Sequence, residues 1–427
     1  MRIGVFSDTH VGRNIPRVLG DARRKAFRHA FKQAVTVFVR EKVDYVLHGG
    51  DLFEKRSMTP EDAVFVKEEL YRLVKESGKN VEIIAVRGNH DGSPTSSALD
   101  FVTHPVADYF HVLGDKTLEG QEEVFWDGNL RVAAIGYHPY AKGKFRELAE
   151  LVSSTLSGEG FKILLIHNYV EGVHDIPPST PEHAVAEAEK VKEMGADLVI
   201  SGHHHEHLGL KRVNGQLYLL PGSTEAVDLG ERGPFGVYIL EVEDGRLASH
   251  RFIELTPLQL IESRSIVSEK PLPLEWYRRR CLEEAESFAG GLEEKGVDGI
   301  LRLQVRGVVV EPGLLPELGL EEELRDLRKR YPRLLHVEVL EELEPILGGG
   351  EEALIEADAP REEVVRRVFE ELGEAAVEAA ELVEEVAMSL EERASERTGL
   401  LKDSDRARFV ERWGRLMLKA VGGEKGD

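Results

Sequence analysis

Short apolar, β-branched runs that stop at an Asp, Asn or His constrain this chain more than any other feature. They are "RIGVFS", "VDYVLHGG", "VEIIAVRG", "LRVAAIGY", "KILLIHN" and "ADLVISG", followed by "QLYLLPGS" and "GVYILEVE". Between several of them lie amphipathic stretches, Arg23 to Arg40 and Pro60 to Lys75 among them, with apolar residues at helical spacing. Strands this continuously apolar are covered on both faces, as in layered α/β proteins. The later strands are closer together with turn residues between them, which points to a second sheet packed on the first. The expected fold over residues 1–256 is therefore α/β, a two-sheet sandwich flanked by helices.

A smaller region follows at 257–347 and reads strand, helix, strand, helix, strand. Its strands are "LQLIESRSIV", "GILRLQVRGVVV" and "LLHVEVL", and its helices run from Pro273 to about Phe288 and from Leu320 to Arg330. This predicts a separate α+β unit. "GGG" at 348–350 opens an expected linker, 348–359. Beyond it, 360–427 reads as a helical pair. The first helix carries Val365, Phe369, Leu372, Ala376, Leu382, Val383 and Val386 on one stripe, opposite glutamates. The second shows Phe409, Trp413, Leu416 and Met417 on one side.

A net charge of −23 argues against a protein that handles nucleic acid, but its distribution weakens that argument. Residues 1–50 hold ten Lys/Arg against four Asp/Glu, whereas 351–400 hold five against sixteen. Local field matters more than the total to a polyanion, so DNA is not excluded. A single cysteine, Cys281, excludes an internal disulfide and fits a reducing compartment. No apolar run approaches the roughly 20 residues of a membrane span, and the N-terminus reads directly into a strand with no cleavable signal. The expected location is cytoplasmic, nucleoid-associated when active, without membrane contact.

The chemistry gathers at strand ends. The first strand ends in "SDTHVG" with Asp8 and His10, the second in "GGDLFE" with Asp51, and the third in "RGNHDG" with Asn89, His90 and Asp91. His167 closes the strand at 161–166, and "GHHHEH" follows the next, supplying His203 and His205. Ligands bind at that edge of open α/β sheets. Donors two apart in an extended chain point to one side, so Asp8 with His10 and His203 with His205 are the useful pairs. Thr9 and His204 then point away, and His204, His207, His174 and His138 read as surface or supporting groups. Asp, Asn and His are N/O donors suited to Mn²⁺, Fe²⁺ or Zn²⁺. Seven donors are too many for one ion and about right for two ions sharing a carboxylate, a device for in-line phosphoryl displacement.

Asp-x-His, Gly-Asp, Gly-Asn-His-Asp, His and Gly-His-x-His, in that order, resemble the calcineurin-like metallophosphoesterases. Within them, "DTHVG", "GDLFE", a trailing "PGS", the α+β unit and the C-terminal helices resemble the meiotic-recombination-eleven (SbcD-like) double-strand-break repair nucleases. The resemblance is strongest over residues 1–230 and implies a metallophosphoesterase sandwich with a capping, DNA-contacting domain. It implies two divalent ions, with Mn²⁺ expected. One would be held by Asp8, His10 and His205, the other by Asn89, His167 and His203, with Asp51 between them. His90 would protonate or stabilise the leaving oxygen, with Asp91 holding its ring, and metal-activated water would hydrolyse the phosphodiester. It also implies homodimerisation through helices at 60–75 and 95–103, and docking of 360–427 on an SMC-like coiled-coil repair ATPase.

One residue departs from the pattern: Glu54 stands where the family's nucleases commonly carry His. Arg13 and Arg17, in a basic run that continues through Arg23, Arg24, Lys25, Arg28 and Lys32, are candidate phosphate contacts, as is Arg87 just before the Asn-His-Asp block. Two rival readings remain open: a phosphoesterase acting on a small molecule or phosphoprotein, and an assembly scaffold with weak nuclease activity.

Overall fold

The structure, a computed structural model, describes residues 1–102, 108–310 and 317–345. The expected linker and C-terminal helical pair lie outside the described residues. The first sheet takes β1 (Arg2–Phe6), β2 (Tyr45–His48), β3 (Glu82–Val86), β6 (Phe110–Leu113), β13 (Gly236–Glu243) and β14 (Arg246–Glu254). Between β3 and β6 lies a small hairpin of β4 (Gly92–Ser93) and β5 (Ser96–Ser97). The second sheet takes β7 (Phe125–Trp126), β8 (Leu130–Ile135), β9 (Phe161–Ile166), β10 (Leu198–Ser201), β11 (Gly209–Val213) and β12 (Gln216–Leu220). Their orders are β14-β13-β1-β2-β3-β6 and β11-β12-β10-β9-β8-β7, with no barrel closure. Four neighbouring strands are parallel in each sheet, β1-β2-β3-β6 in the first and β12-β10-β9-β8 in the second.

Helices α1 (Gly20–Glu41) and α2 (Pro60–Glu76) cover one outer face; α4 (Ala141–Thr155) and α5 (Ala188–Glu193) cover the other, and a single turn, α3 (Asp115–Leu118), precedes β7. α2 starts where the sequence dictates: Thr59 Oγ1 accepts the Asp62 amide at 3.2 Å and Pro60 occupies the first turn. Alternation within each strand divides the core into three layers. Ile3 and Val5 of β1, Leu47, Ile84 and Val86 meet Val132, Ile163, Leu165, Leu198 and Ile200 of the second sheet. Phe6, Val46 and Ile83 face the helices instead, against Phe31, Phe38 and Leu70. The fold is the expected helix-flanked sandwich. The extra strands β7, β11 and β14 are short or sparsely buried antiparallel edges, without the apolar signal of the central ones.

The region after 256 has the expected order of strands and helices, with one difference in pairing. β15 (Gln259–Val267), β16 (Asp298–Val309) and β17 (Leu334–Pro345) pair only in parallel, joined by α6 (Leu274–Lys295) and α7 (Glu321–Arg330). Helices between neighbouring strands demand parallel crossovers, so the unit is βαβαβ rather than α+β. Its core centres on Tyr277, Cys281, Phe288, Leu301 and Leu303. The helix expected at 95–103 is also shorter than its sequence pattern suggests: Ser97 caps only a 3₁₀ turn, Ala98–Phe101. Among the described residues no helix is long and apolar enough to cross a membrane.

Candidate metal centre

Register explains why distant residues meet. Phe6 pairs with His48, His48 with Ala85, and Ile166 with Ser201, so the parallel strands of each sheet end level. The residues beyond those ends emerge at one edge of the sandwich, and two bonds cross between the sheets there. His167 Nδ1 donates to the Gly49 carbonyl at 2.7 Å, and the His203 amide donates to both Asp8 oxygens at 3.2 Å.

The donors converge by a route the spacing did not foresee. Asp8, His10, Asp51 and His203 have φ of 49°, 39°, 55° and 77°, so these segments are left-handed turns, not extended chain. Asp and His are among the residue types that tolerate this region best, and such conformations gather at functional sites. Close backbone approach adds two glycines. A Cβ on Gly50 (φ 101°) would fall 2.3 Å from His167 Nδ1, and one on Gly88 2.1 Å from Asp51 Oδ1.

Two of three candidate ligand clusters flank Asp51, and the third joins His10, Glu54 and His90. Ligand atoms of Asp8, His10 and His205 lie within 4.8 Å of one another, and so do those of Asp51, His167 and His203. Asp51 Oδ2 sits 3.1 Å from His167 Nε2 and 3.8 Å from His10 Nε2, between the two. His167 Nε2 also lies 4.0 Å from Asp8 Oδ1. The Nε2 atoms of His10 and His167 are buried and lack any hydrogen-bond partner. Orphaned buried nitrogens facing carboxylates fit a cation, since leaving such groups unmatched costs about 1–3 kcal/mol each. Asn89 is exposed beside these clusters, between Gly88 and His90.

Electrostatics agree with that fit. Burial would raise the Asp51 carboxyl, but His167, His10 and His90 outweigh it and hold the group well below the usual carboxylate range. Burial opposes protonation of His167, yet Asp51 and Asp8 prevail and push it up to about 9. The carboxylates thus demand positive charge at this point. His203 is the opposite case: burial, then the charge on His167, lowers it to about 2, so it remains a neutral donor.

The supporting roles of several residues were invisible in the sequence. Glu231 accepts a 2.8 Å hydrogen bond from His205 Nδ1, and nothing in the spacing links residues 26 apart in a loop. Glu54 Oε2 lies 3.1 Å from His10 Nδ1, and Arg13 Nη1 lies 2.9 Å from both Glu54 oxygens. His48, buried under the site, meets Thr9 Oγ1 at 3.1 Å, and burial lowers it to about 3. Tyr137 and Tyr169 pack their rings 5.4 and 4.6 Å from His203.

His90 and Asp91 sit differently from one another. The His90 amide donates to Asp51 Oδ1 at 2.8 Å, its Nδ1 meets the Glu54 carbonyl at 2.8 Å, and its ring lies 4.7 Å from that of His10. Asp91 does not hold the His90 ring. Its carboxylate accepts the Gly88 and Phe53 amides at 3.0 Å and the Leu52 amide at 3.3 Å, bracing the loops beneath the site. Burial, reinforced by Asp51, pushes it up to about 7.

The candidate phosphate contacts divide. Arg17 is exposed, as are Lys25 and Lys32. Arg13 is engaged by Glu54 and the Val227 carbonyl. Arg87 is buried, with Nε on Asp115 at 2.8 Å and Nη1 on the Gly92 carbonyl at 2.9 Å, a buttress for the loop after β3. Arg23 is buried on Glu225 and Gln259, and Arg28 pairs with Asp62. His207 bonds Tyr238 Oη at 2.8 Å, while His174 accepts the Val170 amide at 2.9 Å. His138 accepts the Tyr140 amide, and His204 packs its ring near His174; neither joins the two clusters.

The calcineurin-like phosphoesterase superfamily domain matches residues 1–245, more than half of the chain. Among curated relatives, the DNA double-strand break repair protein Mre11 of Thermoplasma acidophilum is 25% identical over 257 residues, covering 58% of this chain and 63% of that protein. Mre11 of Methanosarcina mazei is 26% identical over 273 residues, 64% of this chain and 41% of that one. The chain therefore spans less than two thirds of either. An uncharacterized metallophosphoesterase of Bacillus subtilis, YhaO, is 24% identical over 338 residues, 74% of this chain and 76% of its own. A dimetal phosphatase structure from Danio rerio overlaps 60% of this chain at 12% identity and a TM-score of 0.38, a level that says nothing about chemistry. Matched across the whole of its sandwich up to β14, the chain belongs to the calcineurin-like phosphoesterase superfamily.

Proposed function

We propose that this protein is a two-metal DNA nuclease of double-strand-break repair, working with an SMC-like coiled-coil ATPase. The observation that carries the two-metal reading is the position of Asp51 Oδ2 between His167 Nε2 and His10 Nε2, with Asp8, His10 and His205 on one side and His167 and His203 on the other. Asp8, His10 and His205 would hold one divalent cation and Asn89, His167 and His203 the other, with Asp51 shared and Mn²⁺ the expected ion. When bound, the pair supplies Lewis acidity to the phosphoryl group and readies water for in-line attack.

The chain's own residues do the rest. The Glu54 carbonyl engages His90 Nδ1, and no described residue hydrogen-bonds Nε2, which leaves that nitrogen for a proton at the leaving oxygen. Asp51 fixes the His90 backbone through its amide, so the acid and the shared carboxylate move as one. DNA as substrate is supported by the two relatives named as Mre11 and by the exposed Arg17, Lys25 and Lys32 on and before α1. Homodimerisation and docking of residues 360–427 on the ATPase rest on the family resemblance.

A second reading, a phosphoesterase for small molecules, is favoured by one observation. Glu54 engages Arg13, the guanidinium nearest the clusters in sequence, which a DNA phosphate would otherwise compete for. Metal analysis coupled to a substrate panel separates the two. Two Mn²⁺ per chain and cleavage of single-stranded DNA or duplex ends are expected. Cleavage of p-nitrophenyl phosphates alone would overturn the nuclease reading, and a folded protein that takes up no divalent ion would end both.

A further inference from the structure

The imidazoles of the two clusters are backed by different chemistry. His10 Nδ1 faces the Glu54 carboxylate at 3.1 Å, an electrostatic contact, and His205 Nδ1 hydrogen-bonds the Glu231 carboxylate at 2.8 Å. In the other cluster, His167 Nδ1 bonds a neutral carbonyl, that of Gly49, and His203 rests among the rings of Tyr137, Tyr169 and His167. Two imidazoles of the first cluster thus lean on full negative charges, and those of the second on none.

The backing carboxylates are themselves anchored, and to each other. Arg13 Nη1 holds both oxygens of Glu54, and Arg13 Nε donates to the Val227 carbonyl. The amide of that same Val227 donates to Glu231 Oε2 at 2.7 Å. One chain of contacts, Glu54–Arg13–Val227–Glu231, therefore ties together the two groups that stand behind His10 and His205. Glu54 is 4% exposed and Glu231 is half-buried, so solvent screens these charges weakly. A carboxylate behind a ligating histidine fixes its tautomer and strengthens it as a donor, and losing such a partner typically weakens metal binding about 10–100-fold.

We propose that Glu54 and Glu231 are positioning residues that make the Asp8–His10–His205 cluster the high-affinity metal position, leaving the other as the one that fills and empties with ambient metal. Glu54, which departs from the family's usual residue, then has a role of its own: it secures the tight ion. This rests on the two-cation reading above. At limiting metal, occupancy of the weaker position becomes the factor that decides whether a chain is competent.

The test is a Mn²⁺ titration of the full-length apoprotein by calorimetry, with free ion counted by electron paramagnetic resonance. Wild type is expected to bind two ions in separable steps. Glu54→Gln or Glu231→Gln should each weaken the first step about tenfold or more and move the second by less than about threefold. His203→Gln should do the reverse, removing the second step and sparing the first. The two glutamates lie on separate loops, so if one variant fails to fold the other decides. Two ions in wild type with both glutamine variants unchanged, or with both steps weakened alike, would overturn the proposal while leaving the two-cation reading intact. Fewer than two ions in wild type would overturn both.

Discussion

At the scale of single residues, His90 separates binding from turnover. Its backbone amide is tied to Asp51, while its ring Nδ1 meets the Glu54 carbonyl. His90→Ala should keep both ions and lose about a hundredfold or more in turnover, measured as Mn²⁺ content beside steady-state hydrolysis. Retained activity would move the acid elsewhere. His174 makes a different prediction. Burial lowers it to about 3, with the charge of His204 adding to the shift, so it stays neutral in the folded protein. The unfolded chain takes up a proton below its ordinary value near 6.5. Stability at His174 is therefore unaffected above that pH and is lost progressively as pH falls from about 6.5 toward 3. His174→Gln should flatten that acid arm by up to roughly 1 kcal/mol per pH unit in urea titrations at stepped pH. The candidate donors stand out in the sequence because each lies within four residues of the end of an apolar strand. Their partners are not: Glu231 and Arg13 reach the site across loops whose composition carries no period. Asp91 misleads because its sequence neighbour is His90, whereas its three bonds go to backbone amides at 52, 53 and 88.

At the scale of elements, the loops after β1, β2 and β10 matter more than the strands. Gly50→Ala places a methyl 2.3 Å from His167 Nδ1 at a φ of 101°. Both the strain and the clash act on one ligand candidate, so a loss of about 1–3 kcal/mol in urea unfolding is expected together with weakened Mn²⁺ uptake. An unchanged titration would mean that His167 is not held by this loop. Strand positions are legible because fully buried parallel strands are unbroken apolar runs. The left-handed turns that close them are not, since Asp and His accept that conformation without announcing it. The parallel pairing after 256 is hidden for a related reason: an alternating order of strands and helices fixes connectivity only when the crossover is taken into account.

At the scale of the molecule, the sandwich and the βαβαβ region meet around Arg23. Its guanidinium is fully buried and bonds Glu225 at 3.3 Å, the Ala226 carbonyl, and Gln259 of β15 at 3.2 Å; Gln259 in turn donates to the Ala22 carbonyl at 2.8 Å. Burial lowers Arg23 from its ordinary value, partly offset by Glu225, whose own carboxyl burial raises. Removing one member of such a group strands the other, at about 3–5 kcal/mol. Arg23→Met should therefore show that loss in urea melts and faster proteolysis around residues 256–258; a melt unchanged within error would remove Arg23 from this role. The broad architecture could be anticipated, whereas this joint could not, because a buried arginine looks in sequence like any member of a basic run. The level strand ends have a consequence for the whole sandwich. Sheet one supplies the candidate donors Asp8, His10 and Asp51, while sheet two supplies His167, His203 and His205, so neither layer owns a complete candidate set. Whatever ion settles there rivets the halves of the β-sandwich together, and chelation should loosen amide protons along that shared edge before it disturbs either layer's interior.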